Sequence, residues 1–291
     1  MRKIHNNLNL PESYIKIGSR VDSDLTVTDH LGGTRKVDIY LCRSRSLKRL
    51  VACKLLLPRD RTKKIDRDAL IKEGQILQKL RHPNVIEGYG VFLEPYTRIV
   101  IEYLKGQNLD NTFFKGNYSA FDINDMVNVA LQLSDALSYI HEQGFLHLDV
   151  KPSNIFYCDG HIKLFDFGLA QQFSLDNPLI HRAGTLGYMA PEQTFKMPLA
   201  YATDVFGLGV TFYQLIARGK RPFKIKKHPD KNGMLKRQSD YESLIMAPSK
   251  LNSAISYSIE RVAMKAICPD IQERFQSPAE FHEALVAAIK S

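Results

Sequence analysis

A change of residue pattern around Glu102–Asn108 divides this chain into two unlike parts. Before it, residues 25–31, 36–43 and 50–57 are rich in Val, Ile, Leu, Thr and Tyr, which predicts the strands of a meander. After it, apolar residues recur with helical spacing over 123–143, which predicts a long helix. We therefore expect an α+β chain with a sheet-rich first lobe and a helical second lobe.

The same patterns place the other elements. Gly32-Gly33 and the charged run Arg43–Arg49 separate the first three strands. A helix is predicted from Asp66 to Leu80, because His82-Pro83-Asn84 stops its apolar repeat. Ser277-Pro278-Ala279-Glu280 predicts a capping box, with proline at the first position of the last helix. Further strands are predicted at 85–93 and 97–103, and further helices at 203–218, 254–267 and 278–290.

Composition limits the class of protein. A hydrophobic content of 44% over 291 residues is enough to bury the core of one large domain or of two lobes. No apolar run approaches the roughly 18 residues of a membrane helix, so we expect no membrane span and a cytoplasmic protein. The four cysteines lack the short paired spacings of zinc or redox motifs, which predicts reduced, mostly buried thiols.

The formal net charge of +9 favours anionic partners in general. We expect no nucleic-acid partner. The densest basic stretch, 218–237, has two interpretations, a solvated loop face or a docking surface for an acidic partner.

Two short segments hold the residues that can carry chemistry. His147-Leu148-Asp149-Val150-Lys151-Pro152-Ser153-Asn154 contains a carboxylate, an amine and an amide, and Asp166-Phe167-Gly168 follows it. Two hard oxygen ligands suit a divalent cation, and a separate carboxylate can orient a hydroxyl group. The ordered pair of segments therefore predicts a phosphoryl-transfer centre.

With two further motifs, these segments resemble the serine/threonine protein kinase family, from about residue 24 to the C-terminus. Val51-Ala52-Cys53-Lys54 lies on the predicted third strand, and Gly184-Thr185-Leu186-Gly187-Tyr188-Met189-Ala190-Pro191-Glu192 lies in the second lobe. The compact length and the stretch Glu273-Arg274-Phe275-Gln276-Ser277 are similar to the eukaryotic-like kinases of bacteria.

The resemblance implies the two-lobed protein kinase fold, which has a small antiparallel-sheet N-lobe with one helix and a larger, mainly helical C-lobe. The implied division begins with an N-terminal extension over 1–23 and an N-lobe over 24–102 that clamps the nucleotide. A hinge over 103–106 follows. The C-lobe over 107–291 would hold the catalytic loop, the activation segment and the substrate side.

The resemblance also implies catalytic roles. Lys54 would meet the phosphates of ATP and Glu73 would hold Lys54 in place, although a surface Lys–Glu pair is the alternative. Asp149 would accept or orient the proton of the substrate hydroxyl, and Lys151 would contact the transferring phosphate. Thr185 would brace both, unless it is an ordinary turn threonine or a phosphorylation site.

Asn154 and Asp166 are the implied ligands of Mg²⁺, which prefers hard oxygen ligands and takes only one or two from protein. Phe167 would pack to hold Asp166 in place, and His147 is interpreted as a structural imidazole beneath the loop. By the same resemblance, Glu192 and Arg274 form a structural ion pair, and the helix residue Asp204 anchors the catalytic loop.

The implied nucleotide pocket depends on register alone, and each of its apolar members would fit equally well in a plain core. In the glycine-rich segment His30-Leu31-Gly32-Gly33-Thr34-Arg35-Lys36-Val37, only Gly32 keeps the family position, which puts the affinity for ATP in doubt, although Arg35 and Lys36 add positive charge. With Lys54, the implied nucleotide contacts are Gly32, Val37, Ala52, Ile101, Glu102, Leu104 and Phe156.

The sequence therefore predicts an ATP- and Mg²⁺-dependent protein kinase that phosphorylates serine or threonine in proteins, including its own chain. Two alternatives stay open. The fold could serve as a pseudokinase-type nucleotide-binding scaffold, which the altered glycine-rich segment would favour, or the acceptor could be a small molecule or lipid.

Leu148 stands where many members of the family place an arginine that binds a phosphorylated activation segment, and an apolar side chain cannot pair with phosphate. Ser174 is the only hydroxyl residue between Gly168 and Thr185. We predict that phosphorylation of Ser174 is not needed for activity. Phosphatase-treated enzyme and Ser174→Ala should both keep the initial rate of the untreated chain; a large loss in both would contradict the prediction.

Overall fold

A computed structural model describes residues 15–34, 36–56, 63–116, 121–174, 183–223 and 246–291. The chain divides into two compact units. The first contains the residues up to Gln78 together with Glu87–Tyr103, and the second contains Lys79–Ile86 together with Leu104–Ser291. The predicted Arg35 and the part of the basic stretch from 224 to 237 lie outside the described residues.

The first unit is a five-stranded antiparallel sheet with one helix, as the strand and helix patterns predicted. The order of its strands is β1-β2-β3-β5-β4. Leu25 and Val27 of β1 and Tyr40 and Cys42 of β2 are buried at alternate positions, because successive side chains of a strand point to opposite faces of the sheet. The elements are β1 Leu25–Gly33, β2 Val37–Ser44, β3 Leu50–Leu56, α1 Lys64–Lys79, β4 Gly88–Phe92 and β5 Arg98–Glu102.

The prediction that Gly32-Gly33 separates two strands is wrong, because both glycines belong to β1. The pairing of β1 with β2 shifts register between His30 and Gly32, and Gly32 has a φ of 125°. Glycine tolerates this irregular backbone, so the strand continues through a bulge. The turn follows at Thr34, whose hydroxyl accepts hydrogen bonds from the amides of Lys36 and Val37, each at 3.2 Å.

Residues 15–24 pack against this sheet. The backbone amide of Gly18 donates to Val27 O at 2.8 Å, and Val21 is buried in the core. The carboxylate of Asp22 forms an ion pair with the buried guanidinium of Arg98. The end of the predicted N-terminal extension is therefore part of the folded first unit.

The second unit is mainly helical, and the predicted bounds of its four long helices agree with the structure within three residues. The long helices are α2 Ile123–Glu142, α4 Tyr201–Ile216, α5 Tyr257–Ala266 and α6 Pro278–Lys290. Short elements were not predicted, since two to five residues carry too little periodicity. They are β6 Gln107–Asn108, a π-helical turn Asp110–Phe114, β7 Phe145–Leu146, a 3₁₀ turn Pro152–Asn154, β8 Ile155–Cys158, β9 His161–Leu164, β10 Gln171–Gln172, α3 Pro191–Phe195 and a 3₁₀ turn Pro248–Lys250.

The predicted capping box of the last helix forms only in part. Ser277 Oγ accepts the hydrogen bond from Glu280 N at 3.2 Å, as predicted. The Glu280 carboxylate, however, accepts from Gln276 N at 2.9 Å rather than from the backbone of Ser277. A complete capping box is present at the start of α2, where Asp122 and Asp125 each accept from the other's amide.

The cysteine prediction holds for two residues. Cys42 and Cys53 are buried, whereas Cys158 is exposed and Cys268 is half-buried; all four are free thiols. Within the described part of the chain, no helix is long and apolar enough to cross a membrane.

Helix α4 is buried around its whole circumference and packs against α2, α5 and α6. Its close approach to α5 depends on Gly209, because a Cβ there would lie 2.6 Å from Ala266 Cβ and 2.9 Å from its carbonyl carbon. The absence of a side chain at this position therefore sets the distance between the two helices.

We predict that Gly209→Ala destabilises the protein by about 1–3 kcal/mol, because the backbone of Ala266 must move to relieve the overlap. Thermal unfolding should show a fall in Tm of about 2–4 °C for each kcal/mol. Adding Ala266→Gly should restore only part of the loss, since it removes the methyl contact but not the backbone contact. An unchanged Tm for the single variant would contradict the prediction.

Candidate active site

Lys54 and Glu73 form a close ion pair within the first unit. Lys54 Nζ lies 2.9 Å from Glu73 Oε1 and 2.8 Å from Oε2, so both carboxylate oxygens hold the ammonium group. The side chain of Glu73 is only 5% exposed and that of Lys54 is 18% exposed. The alternative of a surface Lys–Glu pair is therefore wrong. The rigid β3 strand and the carboxylate from α1 fix a positive charge that could meet a polyanion.

Asp204, in the first turn of α4, holds the loop that follows β7 in the second unit. Its carboxylate accepts hydrogen bonds from His147 N at 2.8 Å and from Leu148 N at 2.7 Å. His141 Nε2 lies 2.8 Å from the same carboxylate. Burial opposes ionisation of Asp204, but the contact with His141 and the loop amide of His147 outweigh burial and lower its pKa. The anchoring contact expected of Asp204 is thus present.

Leu148 follows directly in an unusual conformation. Its φ is 66°, which is uncommon for a residue other than glycine. Its side chain is buried with Leu146 and Leu199, and Phe173 and Tyr201 pack against this cluster. Apolar packing therefore holds the loop at the position where an arginine would need a phosphate partner.

Asp149 lies at the centre of a polar network. Thr185 Oγ1 donates to Asp149 Oδ1 at 2.7 Å, and Asn154 Nδ2 and Lys151 Nζ donate to Oδ2 at 2.9 and 2.5 Å. Lys151 Nζ also donates to Thr185 Oγ1 at 2.5 Å. The fold therefore brings together Asp149, Lys151, Asn154 and Thr185, which are up to 36 residues apart in sequence. The Asp149 carboxylate is held in one orientation by three donors.

Asn154 and Asp166 have the chemistry that a hard divalent cation requires. Asn154 Nδ2 donates to Asp149 O and Oδ2, at 3.0 and 2.9 Å, which assigns the other end of the amide to its oxygen atom. Phe165 N donates to Asn154 O at 2.9 Å and so joins the two segments one residue before Asp166. An amide oxygen and a carboxylate fit Mg²⁺, which usually takes only one or two protein ligands.

His147 lies beneath this loop as a buried imidazole. Burial lowers its pKa, and its Nδ1 accepts the amide hydrogen of Asp149 at 3.3 Å, which requires that nitrogen to be unprotonated. The buried ring of Phe167 meets the imidazole edge to face, with 4.8 Å between centroids. These contacts support the predicted packing role of both rings.

The proposed nucleotide contacts divide between the two units. In the first unit, Ala52 on β3 pairs with Ile101 on β5, and Val37 begins β2. In the second unit, Leu104 begins the stretch Leu104–Ser291, and Phe156 lies on β8. Ala52 is buried, whereas the other apolar members are half-buried: Val37, Ile101, Leu104 and Phe156.

The predicted ion pair of Glu192 and Arg274 is confirmed. Arg274 Nη1 lies 2.8 Å from Glu192 Oε1, and the same nitrogen donates to Ala202 O at 2.7 Å. Arg274 Nε donates to Cys268 O at 3.0 Å. Both charged side chains are buried, so the pair supports the architecture of the second unit rather than the chemistry.

Gln193 contributes to the site, although no sequence motif singled it out. Gln193 Nε2 donates to Leu148 O at 2.9 Å and to Ala183 O at 3.1 Å, while Gln193 Oε1 accepts from Ala190 N at 3.0 Å. One amide thus ties the catalytic loop to the Thr185 segment. The contact of His141 with Asp204 was not predicted either. The signal for it in the sequence is that His141 is a polar residue on the buried face of α2.

Comparison with known protein families agrees with this geometry. The family model described as protein kinase domain matches residues 25–285. The match covers most of the chain, and the antiparallel-sheet unit and the helical unit are the two lobes of that fold. The chain belongs to the protein kinase family.

Its curated relatives include kinases from animals and a probable serine/threonine-protein kinase from a bacterium. G protein-coupled receptor kinase 2 of Drosophila melanogaster is 27% identical over 81% of this chain and 33% of its own length. Calcium/calmodulin-dependent protein kinase type 1 of Macrobrachium nipponense is 30% identical over 72% of this chain and 59% of its own length. A probable serine/threonine-protein kinase of Clostridium perfringens is 27% identical over 83% of this chain and 35% of its own length. The chain thus spans about a third to three fifths of these relatives.

The burial of His147 predicts a loss of stability in acid. Below the ordinary histidine pKa of about 6.5, His147 binds a proton in the unfolded chain. In the folded chain it stays unprotonated to lower pH, because burial lowers its pKa. Stability should therefore fall as the pH drops below about 6.5, by at most about 1.4 kcal/mol per pH unit from this group.

Urea unfolding of wild type, His147→Asn and His161→Gln between about pH 7.5 and pH 5 checks this expectation. His147→Asn should show a shallower dependence of unfolding free energy on pH. His161 is exposed on β9, so His161→Gln should follow wild type. Equal slopes for wild type and His147→Asn would contradict the prediction.

Proposed function

We propose that this chain is an ATP- and Mg²⁺-dependent protein kinase that transfers the γ-phosphoryl group to serine or threonine hydroxyls of proteins, including its own. The single observation that carries the proposal is the network that joins Asp149, Lys151, Asn154 and Thr185. It supplies an oriented carboxylate and a fixed ammonium group on one site, which are the groups that such a transfer needs.

In the proposed reaction, Asp149 orients the acceptor hydroxyl and takes its proton as the oxygen attacks the γ-phosphorus. The bond between that phosphorus and the β–γ bridging oxygen breaks, and ADP leaves. Lys151 meets the transferring phosphoryl group, and Lys54, held by Glu73, meets the phosphates of the nucleotide. Asn154 and Asp166 would hold the cation, which when bound neutralises phosphate charge.

The proposed preference for serine and threonine is supported by Lys151 and Thr185. By resemblance, kinases that act on tyrosine replace the loop lysine with another arrangement. Here Lys151 Nζ lies 2.5 Å from both Asp149 Oδ2 and Thr185 Oγ1, so the lysine is integral to the site. We also propose the nucleotide contacts given above. We further propose the division into an N-lobe over 24–102, a hinge over 103–106 and a C-lobe over 107–291.

We propose protein substrates and an acidic docking partner for the basic stretch. Of that stretch, the structure describes Arg218, Lys220 and Arg221, and all three are exposed. The exposed positive charges are accessible to an acidic partner, as they would also be on a solvated loop face.

The decisive test incubates the chain with labelled ATP, Mg²⁺ and a generic protein, followed by phosphoamino-acid analysis. Wild type should label serine or threonine, and Asp149→Ala should lose at least about a hundredfold in rate. Asp68→Ala is the matched control, since Asp68 is exposed on α1. Thermal unfolding of each variant shows whether it is folded.

The other outcomes each contradict a stated part of the proposal. No labelling above the Asp149→Ala background would favour the nucleotide-binding scaffold. Label found only in small molecules or lipids would favour the third interpretation. Phosphotyrosine would overturn the acceptor assignment while keeping the activity.

A further inference from the structure

The segment from 183 to 223 keeps its two signs of charge apart. Its acidic residues are Glu192 and Asp204, and both are buried. Glu192 pairs with Arg274 at 2.8 Å, and Asp204 pairs with His141 at 2.8 Å. Its basic residues are all exposed: Lys196, Arg218, Lys220 and Arg221. The charge that this segment presents to solvent is therefore entirely positive.

Arg221 is the basic residue that contacts the segment around the proposed site. Thr185 hydrogen-bonds to the Asp149 carboxylate, and one turn later Tyr188 N donates to Thr185 O at 3.0 Å. The Arg221 guanidinium carbon lies 5.1 Å from the centroid of the Tyr188 ring. A cation over this ring is attracted by its π-electrons, so the guanidinium has a defined place.

The turn that carries Arg221 is tied to the same tyrosine. Tyr188 Oη donates to Gln214 Oε1 at 2.6 Å, and Gln214 Nε2 donates to Gly219 O at 3.3 Å. Gly219 N donates back to Gln214 O at 2.8 Å. Phe223, two residues after Arg221, is buried. The backbone on both sides of Arg221 is therefore anchored while its charged end stays exposed.

In the described part of the chain, neighbouring negative charge does not neutralise this guanidinium. Among the described residues, no carboxylate forms an ion pair with Arg221. Asp110 is the carboxylate whose field reaches Tyr188, and Lys115 Nζ pairs with it at 2.6 Å. Within the described residues, the exposed guanidinium of Arg221 contacts Tyr188 through the ring and a side-chain hydrogen bond and has no carboxylate partner, so its remaining donors can meet an anionic group from outside the chain.

We propose that this kinase selects serine or threonine acceptors flanked by aspartate or glutamate, and that Arg221 is the residue that binds the substrate carboxylate. The planar guanidinium fork matches a carboxylate with two parallel hydrogen bonds. The exposed Lys196, Arg218 and Lys220 raise the local concentration of acidic peptides. The proposal rests on the proposed kinase activity and adds the class of substrate.

The test uses the full chain and peptides that contain one serine among alanines. One series places a glutamate at a single position from three before to three after the serine, and a matched series places a lysine there. Rates are measured as kcat/KM for wild type, Arg221→Gln and Arg221→Glu. Arg261→Gln is the matched control, because Arg261 lies over the Tyr257 ring, 6.0 Å from its centroid, on α5.

Wild type should prefer the glutamate peptide by about tenfold or more at its best position, mainly through KM. Arg221→Gln should lose most of that preference, Arg221→Glu should shift it toward lysine, and Arg261→Gln should keep it. The preference should also weaken at high salt. Equal or better rates with lysine peptides for wild type would overturn the proposal, as would equal effects of Arg221→Gln and Arg261→Gln.

Labelling of a generic acidic protein and of a generic basic protein distinguishes a failure of the acidic preference from a failure of the kinase activity. Labelling of the basic protein in preference to the acidic one overturns the acidic specificity and leaves the kinase assignment intact. Absence of label in every peptide and protein, at the level of Asp149→Ala, overturns the proposed function itself and the inference with it.

Discussion

The buried carboxylate of Asp204 is the interaction on which the His147–Asn154 loop depends. Burial of an unpaired carboxylate would be strongly unfavourable, but two loop amides and His141 satisfy it. Because α4 is packed on all sides, this anchor cannot shift independently of the second unit's core. The backbone of His147 and Leu148 is thereby fixed, and Asp149 follows one residue later.

Beyond this anchor, the loop is held by side-chain contacts with residues that are distant in sequence. Leu148 is held in a left-handed conformation by apolar neighbours, and Gln193 bridges the loop to the Thr185 segment. The assembly therefore relies on packing and neutral hydrogen bonds where an arginine would rely on an acquired phosphate. This packing agrees with the expectation that the loop needs no phosphate to hold it.

Charge in the second unit is divided by function. Two buried acids, Glu192 and Asp204, are paired and serve the architecture, as Glu192 does with Arg274. In the segment from 183 to 223 the basic residues are exposed, and Arg221 is held over Tyr188 by a turn that Gln214 secures. The segment that contributes Thr185 to the polar network around Asp149 thus also carries exposed positive charge.

The sequence by itself determined the long elements and the chemistry-bearing residues. Helices such as α2 and α6 have enough residues for their period to show, and the segments around Asp149 and Asp166 keep their residue types in order. Only the tertiary structure decided the rest: the bulge that carries β1 through Gly32, the short strands, the shift of the Glu280 bond to Gln276, and the role of Gln193. Each of these depends on a partner distant in sequence or on one local geometry among several, and a linear pattern does not specify which of them forms.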